Sequence, residues 1–544
     1  MTIFVGEEYN KGAMRLTMMF AILSAVLPIV FLFSLITHHR FSPDLSIAYA
    51  DARILENVPA PASPSPNLSD SPSSDARFIQ GLLHGGFSDS DCESRYHSHL
   101  YRNKSPHKPS PYLLSILRLY EDRHKRCGPG TKPYDEALTR IASRKTIFSS
   151  DSTDSCSYVV WISFSGLGNR ILSLASTFLY ALLTNRVLLV DRGSSMEDLF
   201  CEPFPNSSWL LPRDFPLLNH FSSFNQTSPS CLGHFLKSNA IKPNSVPPFL
   251  YLHLVHDYND HDKLFFCDDQ QAFLSRIPWL IIKTDNYFAP SLFFSESFGK
   301  ILTLLFPEKS TVFHHLGRYL FHPTNVVWGL VTRYYHTYMA KADEKIGIQI
   351  RVFDARPGPL VHVTQQLLAC IKKEKILPQV LSSSSSSFPA KNAKMKSVIL
   401  TSLNKGYAEI LSAMYWESPT ATGEVVAVHQ PSIEGFQQTE SGDHNKKAWA
   451  EMYLLSLTDA LVTSAWSTFG YVAQGLGGMR PWVLFKSEND TYPDPPCART
   501  ASIEPCFHAP PFYDCKLRTG ADTGLLVPHV RHCEDMSWGL KIFG

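Results

Sequence analysis

Three stretches of the sequence carry side chains of the kind that grip an anion. In "GIQIRVFD", residues 347–354, Arg351 stands within or near the end of a buried strand. A guanidinium there is costly to desolvate unless it is paired. Its planar fork suits either a carboxylate such as Asp354 or two phosphate oxygens. In "VTSAWSTFGYVAQGLGG", residues 462–478, Ser464, Ser467 and Thr468 precede an apolar helical run that ends in glycines. Hydroxyls and open N–H groups at a helix start can hold phosphate without a metal, and can equally form an ordinary N-cap. In "SFSGLGNRIL", residues 163–172, Gly166 and Gly168 permit a tight turn and close backbone approach. Asn169 and Arg170 add donors, or the stretch is a plain turn with a surface arginine. A G-x-G-x-x-G fingerprint would need glycine where Ile171 stands. Asp191 nevertheless lies where a ribose-binding acid would be, which keeps a nicotinamide reading open.

Acids and histidines form a second group. "HDYNDHD", residues 256–262, contains Asp260 and Asp262 at the D-x-D spacing by which metal-dependent sugar transferases hold manganese. Asp89 and Asp91 repeat that spacing, so a solvated loop is the plainer reading. "WLIIKTDNYF", residues 279–288, places Asp285 at the carboxyl end of a strand, where it opens into the cleft of an α/β sheet. There it could take a proton from a hydroxyl, or merely form an Asx turn. His253, His256 and Asp257 are nearby alternatives for the same task.

These side chains need a scaffold, and the apolar patterning supplies one. "YVVWISF", the helical "NRILSLASTFLYALLTN" and "RVLLVD" make a βαβ unit, which demands a parallel sheet. "FLYLHLVH" and "WLIIKTDN" read as further strands. The plan then repeats. "KIGIQIRVFD", "SVILTSLN", "GEVVAVHQP", "DALVTSAWS" and "PWVLF" are strands, while "VTQQLLACIKKE", "YAEILSAMY" and "KAWAEMYLLSLT" are helices. The expectation is an α/β fold of two Rossmann-like domains, 77–344 and 345–544, facing a cleft. The serine run in "LSSSSSSFPAKNAK" is a loop with no assigned chemistry.

The chain is 544 residues long with a net charge of +1, so no broad field points to nucleic acid. Leu16 to Thr37 is uncharged and mostly apolar over 22 residues, enough to span a bilayer core of roughly 30 Å. It reads as an uncleaved signal anchor after a cytosolic tail, 1–15, with a cleaved signal peptide as the alternative. Residues 38–76 are rich in Pro and Ser and read as a disordered stem. Asn67, Asn103, Asn206, Asn225 and Asn489 head N-x-S/T sequons. Eleven cysteines, four of them crowded at 497–533, suit disulfides in an oxidising compartment. Their connectivity is not legible, and the odd count leaves at least one without an internal partner.

Assembled, the sequence resembles the plant xyloglucan fucosyltransferase family. The resemblance rests on "YVVWISFSGLGNRILSLAS", "LYLHLVHDY", "IKTDNYF", "FHHLGRYLFHPTN", "KIGIQIRVFD", "VHQPS", "SAWSTFGYVAQGLGG", "PCFHAPPFYDC" and "VPHVRHCED". It runs from about Phe78 to the carboxyl end. It implies a lumenal, type II Golgi enzyme of the two-domain GT-B kind, needing no metal or other cofactor. That enzyme transfers L-fucose from GDP-fucose, with inversion, to the 2-hydroxyl of galactose on a cell-wall glycan. By this resemblance Arg351 grips the diphosphate. Ser464, Ser467, Thr468 and Phe469 line the nucleotide pocket, Asn169 and Arg170 face the donor, and Asp285 lies near the reacting hydroxyl. Xyloglucan is the expected acceptor, with arabinogalactan glycans as the alternative. The Golgi membrane and a second copy of the chain are expected partners. The rival readings are a metal-dependent glycosyltransferase and a membrane-tethered glycan-binding protein.

Overall fold

The computed structural model describes residues 77–142, 156–193, 195–238, 246–353, 359–382, 392–486 and 491–544. The expected anchor and stem, Asp354 and most of the serine run lie outside the described residues. No helix among the described residues is long and apolar enough to cross a membrane.

Two parallel sheets carry the molecule. The first has the order β2-β1-β4-β3, from β1 (Tyr158–Ile162), β2 (Val187–Val190), β3 (Phe249–His253) and β4 (Trp279–Lys283). β1 pairs in parallel with both β2 and β4. It is buried along its whole length, which is why it reads as unbroken "YVVWI" rather than as an alternation. The second sheet has the order β10-β9-β8-β5-β6-β7. Its strands are β5 (Glu344–Ile350), β6 (Met395–Ser402), β7 (Val425–His429), β8 (Ala460–Ser464), β9 (Trp482–Leu484) and β10 (Cys497–Arg499). Only β10 runs antiparallel to its neighbour. A hairpin, β11 (Val530–His532) with β12 (Leu540–Ile542), ends the chain.

Three helices matter for the site: α1 (Leu167–Leu183) after β1, α2 (Gly442–Leu455) after β7, and α3 (Thr468–Gly477) after β8. The α1 sequence "LGNRILSLASTFLYALL" is apolar on nearly every face, and nearly every residue of it is buried. Part of that burial comes from α3, which packs against it.

The carboxyl-terminal tail returns to the first sheet. Cys515 is bridged to Cys267, the Tyr258 hydroxyl donates to the Ala509 carbonyl at 2.8 Å, and the Phe313 amide donates to Glu504 at 2.8 Å. Of the four cysteines crowded at the end, Cys506 and Cys533 pair with each other, whereas Cys497 pairs with Cys370. Cys92–Cys201 and Cys127–Cys156 complete five bridges, and Cys231 is the buried leftover thiol. Of the sequons, Asn103, Asn206 and Asn225 are exposed, while Asn67 and Asn489 lie outside the described residues.

Candidate active site

The carboxyl ends of β5, β6, β7 and β8 open onto a cavity of about 360 Å³. This is the position where an α/β sheet binds its ligand. The opposite wall is the β1–α1 turn, Ser165 to Asn169. The two βα turns that meet here are built alike. Ser165 and Trp466 each adopt a left-handed backbone, with φ of 69° and 63°. For non-glycine residues this is uncommon. Each is followed by a helix cap, Gly166 for α1 and Ser467 for α3. The first turns of both helices, with their open N–H groups, therefore border one cavity.

The two turns also touch. A Cβ at Gly168 would lie 2.6 Å from Thr468 Oγ1 and 2.9 Å from the Thr468 carbonyl carbon. The glycine is thus required by the approach of the other sheet's helix. Gly166 similarly faces the Gln437 amide, 2.9 Å from where its Cβ would be.

Arg351 follows the last residue of β5 and lines the cavity. Its backbone N–H donates to Ser464 Oγ at 3.0 Å, and its guanidinium donates to Gln437 Oε1 at 3.0 Å and lies over Phe353. Burial lowers its pKa from the ordinary arginine value. The three hydroxyls of the α3 stretch divide their tasks. Ser464 ends β8 and holds the Arg351 backbone from behind. Ser467 accepts the Gly470 N–H as the α3 N-cap, and Thr468 donates to Asn169 Oδ1 at 2.7 Å. Ser467, Thr468, Phe469 and Asn169 line the cavity.

Arg170 does not line it. This side chain is buried, with its Nη2 3.2 Å from Glu440 Oε1, and burial lowers its pKa. It fastens the loop after β7 from behind the wall.

Asp285 also lies off the cavity wall. One oxygen accepts the His256 amide at 3.0 Å, the other faces His256 Nδ1 at 2.6 Å, and Asn286 adds a third contact. The hydrogen bond to Asp285 raises the pKa of His256. His253 is buried between Tyr251 Oη and Asp257. The D-x-D carboxylates diverge: Asp260 is exposed and paired with Lys263. Asp262 is buried and accepts from Cys231 Sγ and the Gly233 amide. Asp191 is occupied in its own turn by the Ser163 and Gly193 amides.

Sequence reading missed His508, which the returning tail places in the cavity wall. Its Nε2 lies 3.3 Å from Tyr471 Oη, and Tyr471 donates its proton to Asp535 Oδ2 at 2.5 Å. Asp535 also accepts the Trp466 amide and, through its carbonyl, the Trp466 indole. With the tyrosine proton committed to the carboxylate, the phenol oxygen accepts from His508 Nε2–H. That tautomer leaves a lone pair on Nδ1. Burial lowers the His508 pKa, against the opposing pull of Asp535 and Asp285. The imidazole is therefore neutral at neutral pH. Also unforeseen was Glu451 on α2, which lines the far wall; burial raises its pKa to about 7. No local spacing ties His508 or Glu451 to Arg351.

The sequence profile of the xyloglucan fucosyltransferase family matches residues 52–516. A galactoside 2-alpha-L-fucosyltransferase of Arabidopsis thaliana is 58% identical over 98% of this chain and 94% of its own length. One from Pisum sativum is 62% identical over 86% and 82%. A solved structure of an Arabidopsis thaliana FUT1 variant in complex with GDP superposes with a TM-score of 0.80. Its sequence identity is 61%, covering 86% of this chain and all of that one.

Proposed function

The chain belongs to the xyloglucan fucosyltransferase family, and from that premise we propose how its cavity moves L-fucose from GDP-fucose to the 2-hydroxyl of galactose. The carrying observation is the convergence of Arg351 and the starts of α1 and α3 on one cavity. As the acceptor oxygen attacks the anomeric carbon, negative charge gathers on the departing GDP. A fixed guanidinium and helix-end N–H groups facing that cavity stabilise the charge most where it is largest. Attack opposite the diphosphate inverts the anomeric centre. The two sheets of this GT-B arrangement supply opposite walls, so closing them aligns attacker and leaving group.

The acceptor's proton goes to His508 Nδ1. Tyr471 and Asp535 hold the ring in the receptive tautomer, and Asp535 stabilises the imidazolium that results. Asp285, the candidate from sequence, acts at longer range through its charge. The charge carried by Arg351 and the helix ends makes a divalent metal unnecessary, and activity is expected to survive chelation. Xyloglucan is the proposed acceptor, and the five disulfides support a lumenal, oxidising location behind the apolar 16–37 segment. The test is incubation of the protein with GDP-fucose and a panel of galactose-bearing glycans, with linkage analysis of the product. Absence of a fucose α1,2-linked to galactose would refute the reading.

A further inference from the structure

A second hollow, about 540 Å³ and shallow, lies in the carboxyl-terminal tail. It is bounded by Phe512, Gly520, Ala521, Asp522, His532 and Trp538. We propose that it is a distal subsite for the acceptor, holding a neutral sugar ring of the glycan remote from the reacting galactose. The proposal rests on the fucosyl-transfer reading above.

Two large aromatic side chains flank the hollow and remain 47% (Phe512) and 45% (Trp538) exposed, which leaves their apolar rings open to a ligand. Between them lies a polar pair, His532 Nε2 to Asp522 Oδ1 at 2.8 Å. Apolar faces with a few fixed donors and acceptors suit a pyranose: its flat C–H face meets an aromatic ring and its hydroxyls meet the carboxylate and imidazole. The hollow adjoins the donor cavity through one aromatic contact. Trp538 packs edge-to-face on Trp466 at 5.5 Å, and Trp466 is part of the donor cavity's wall. A glycan with one galactose in the cavity crosses this indole pair into the hollow.

The experiment compares kcat/KM for a galactose-bearing polysaccharide with kcat/KM for a short galactoside, using the full chain and two variants. Phe512→Ala removes one aromatic flank. Gly520→Trp fills the hollow, because a Cβ there meets nothing nearer than the Phe512 carbonyl oxygen at 3.8 Å. The polymer-to-short-acceptor ratio is expected to fall about tenfold in each, the equivalent of one lost ring contact of about 1.4 kcal/mol. An unchanged ratio in both variants overturns the proposal. So does a change in molecular mass by light scattering without a change in ratio, which would assign the hollow to a second copy of the chain. Calorimetric titration with GDP separates the two levels. A wild-type chain that neither binds GDP nor transfers fucose refutes the functional reading instead.

Discussion

The Thr468 hydroxyl donates to Asn169 Oδ1 at 2.7 Å, joining the first turn of the helix after β8 to the first turn of the helix after β1. The two residues are 299 positions apart, so this bond exists only if both sheets are folded and docked. It places two helix ends on one cavity beside Arg351, and it explains why position 168 has no side chain.

Gly168→Ala would force a methyl group against the Thr468 backbone, which cannot rotate away. A loss of about 1–3 kcal/mol of stability is expected, together with weakened GDP binding. Gly166→Ala meets only the end of the flexible Gln437 side chain and should be milder. Thermal denaturation with and without GDP checks both. Equal, small shifts would show that the turns are not in tight contact.

Arg351→Ala should lower kcat by about 10²–10³-fold while the fold persists, because a donor to the departing charge is lost. Arg351→Lys should recover only part, since a point charge replaces a fork. Steady-state rates and circular dichroism on the purified variants decide this. Near-normal turnover in Arg351→Ala would exclude the diphosphate grip.

His508→Ala should lower kcat by about 10²–10⁴-fold with little change in GDP affinity. The imidazole must be unprotonated to act, and burial lowers its pKa. The acidic limb of the kcat/KM profile should therefore lie below the ordinary imidazole range. Tyr471→Phe frees the ring and should flatten that limb. If the profile responds to Asp285→Asn and not to His508→Ala, the proton acceptor is Asp285.

Glu451 is buried and its pKa is raised from 4.5 to about 7. The unfolded chain ionises it near 4.5, whereas the folded chain resists until about 7. The folded state therefore carries no penalty below pH 4 and an increasing one as pH rises to 7. Glu451→Gln should leave stability unchanged at pH 4 and raise it at pH 8, on the order of 2–3 kcal/mol. Urea unfolding at the two pH values measures the difference, and a gain at pH 4 equal to that at pH 8 would contradict the assignment.

Cys267→Ser with Cys515→Ser removes the bridge between the tail and the first sheet. A loss of about 2–5 kcal/mol is expected. Because the same tail carries His508, kcat should fall further than GDP affinity. Activity and calorimetry on the double variant read both.

The sequence by itself determined the elements. Short unbroken runs such as "YVVWI" and "VLLV", rich in β-branched and aromatic residues, read as strands buried on both faces, and they became β1 and β2 with boundaries within a residue or two. It also determined that Arg351 stands at or near the end of a strand and that Ser467 and Thr468 start a helix, because capping and periodicity are local. It could not assign tasks among neighbours. Ser464 and Ser467 are three residues apart, yet one steadies the Arg351 backbone and the other caps α3. Arg170 and Asn169 are adjacent, yet only Asn169 reaches the cavity. His508 enters the site on a tail whose course is set by the Cys267–Cys515 and Cys506–Cys533 bridges and by Glu504. Contacts across hundreds of residues leave no periodic trace in a chain, so only the packed structure decides which side chains of a well-read motif face the ligand and which face the protein.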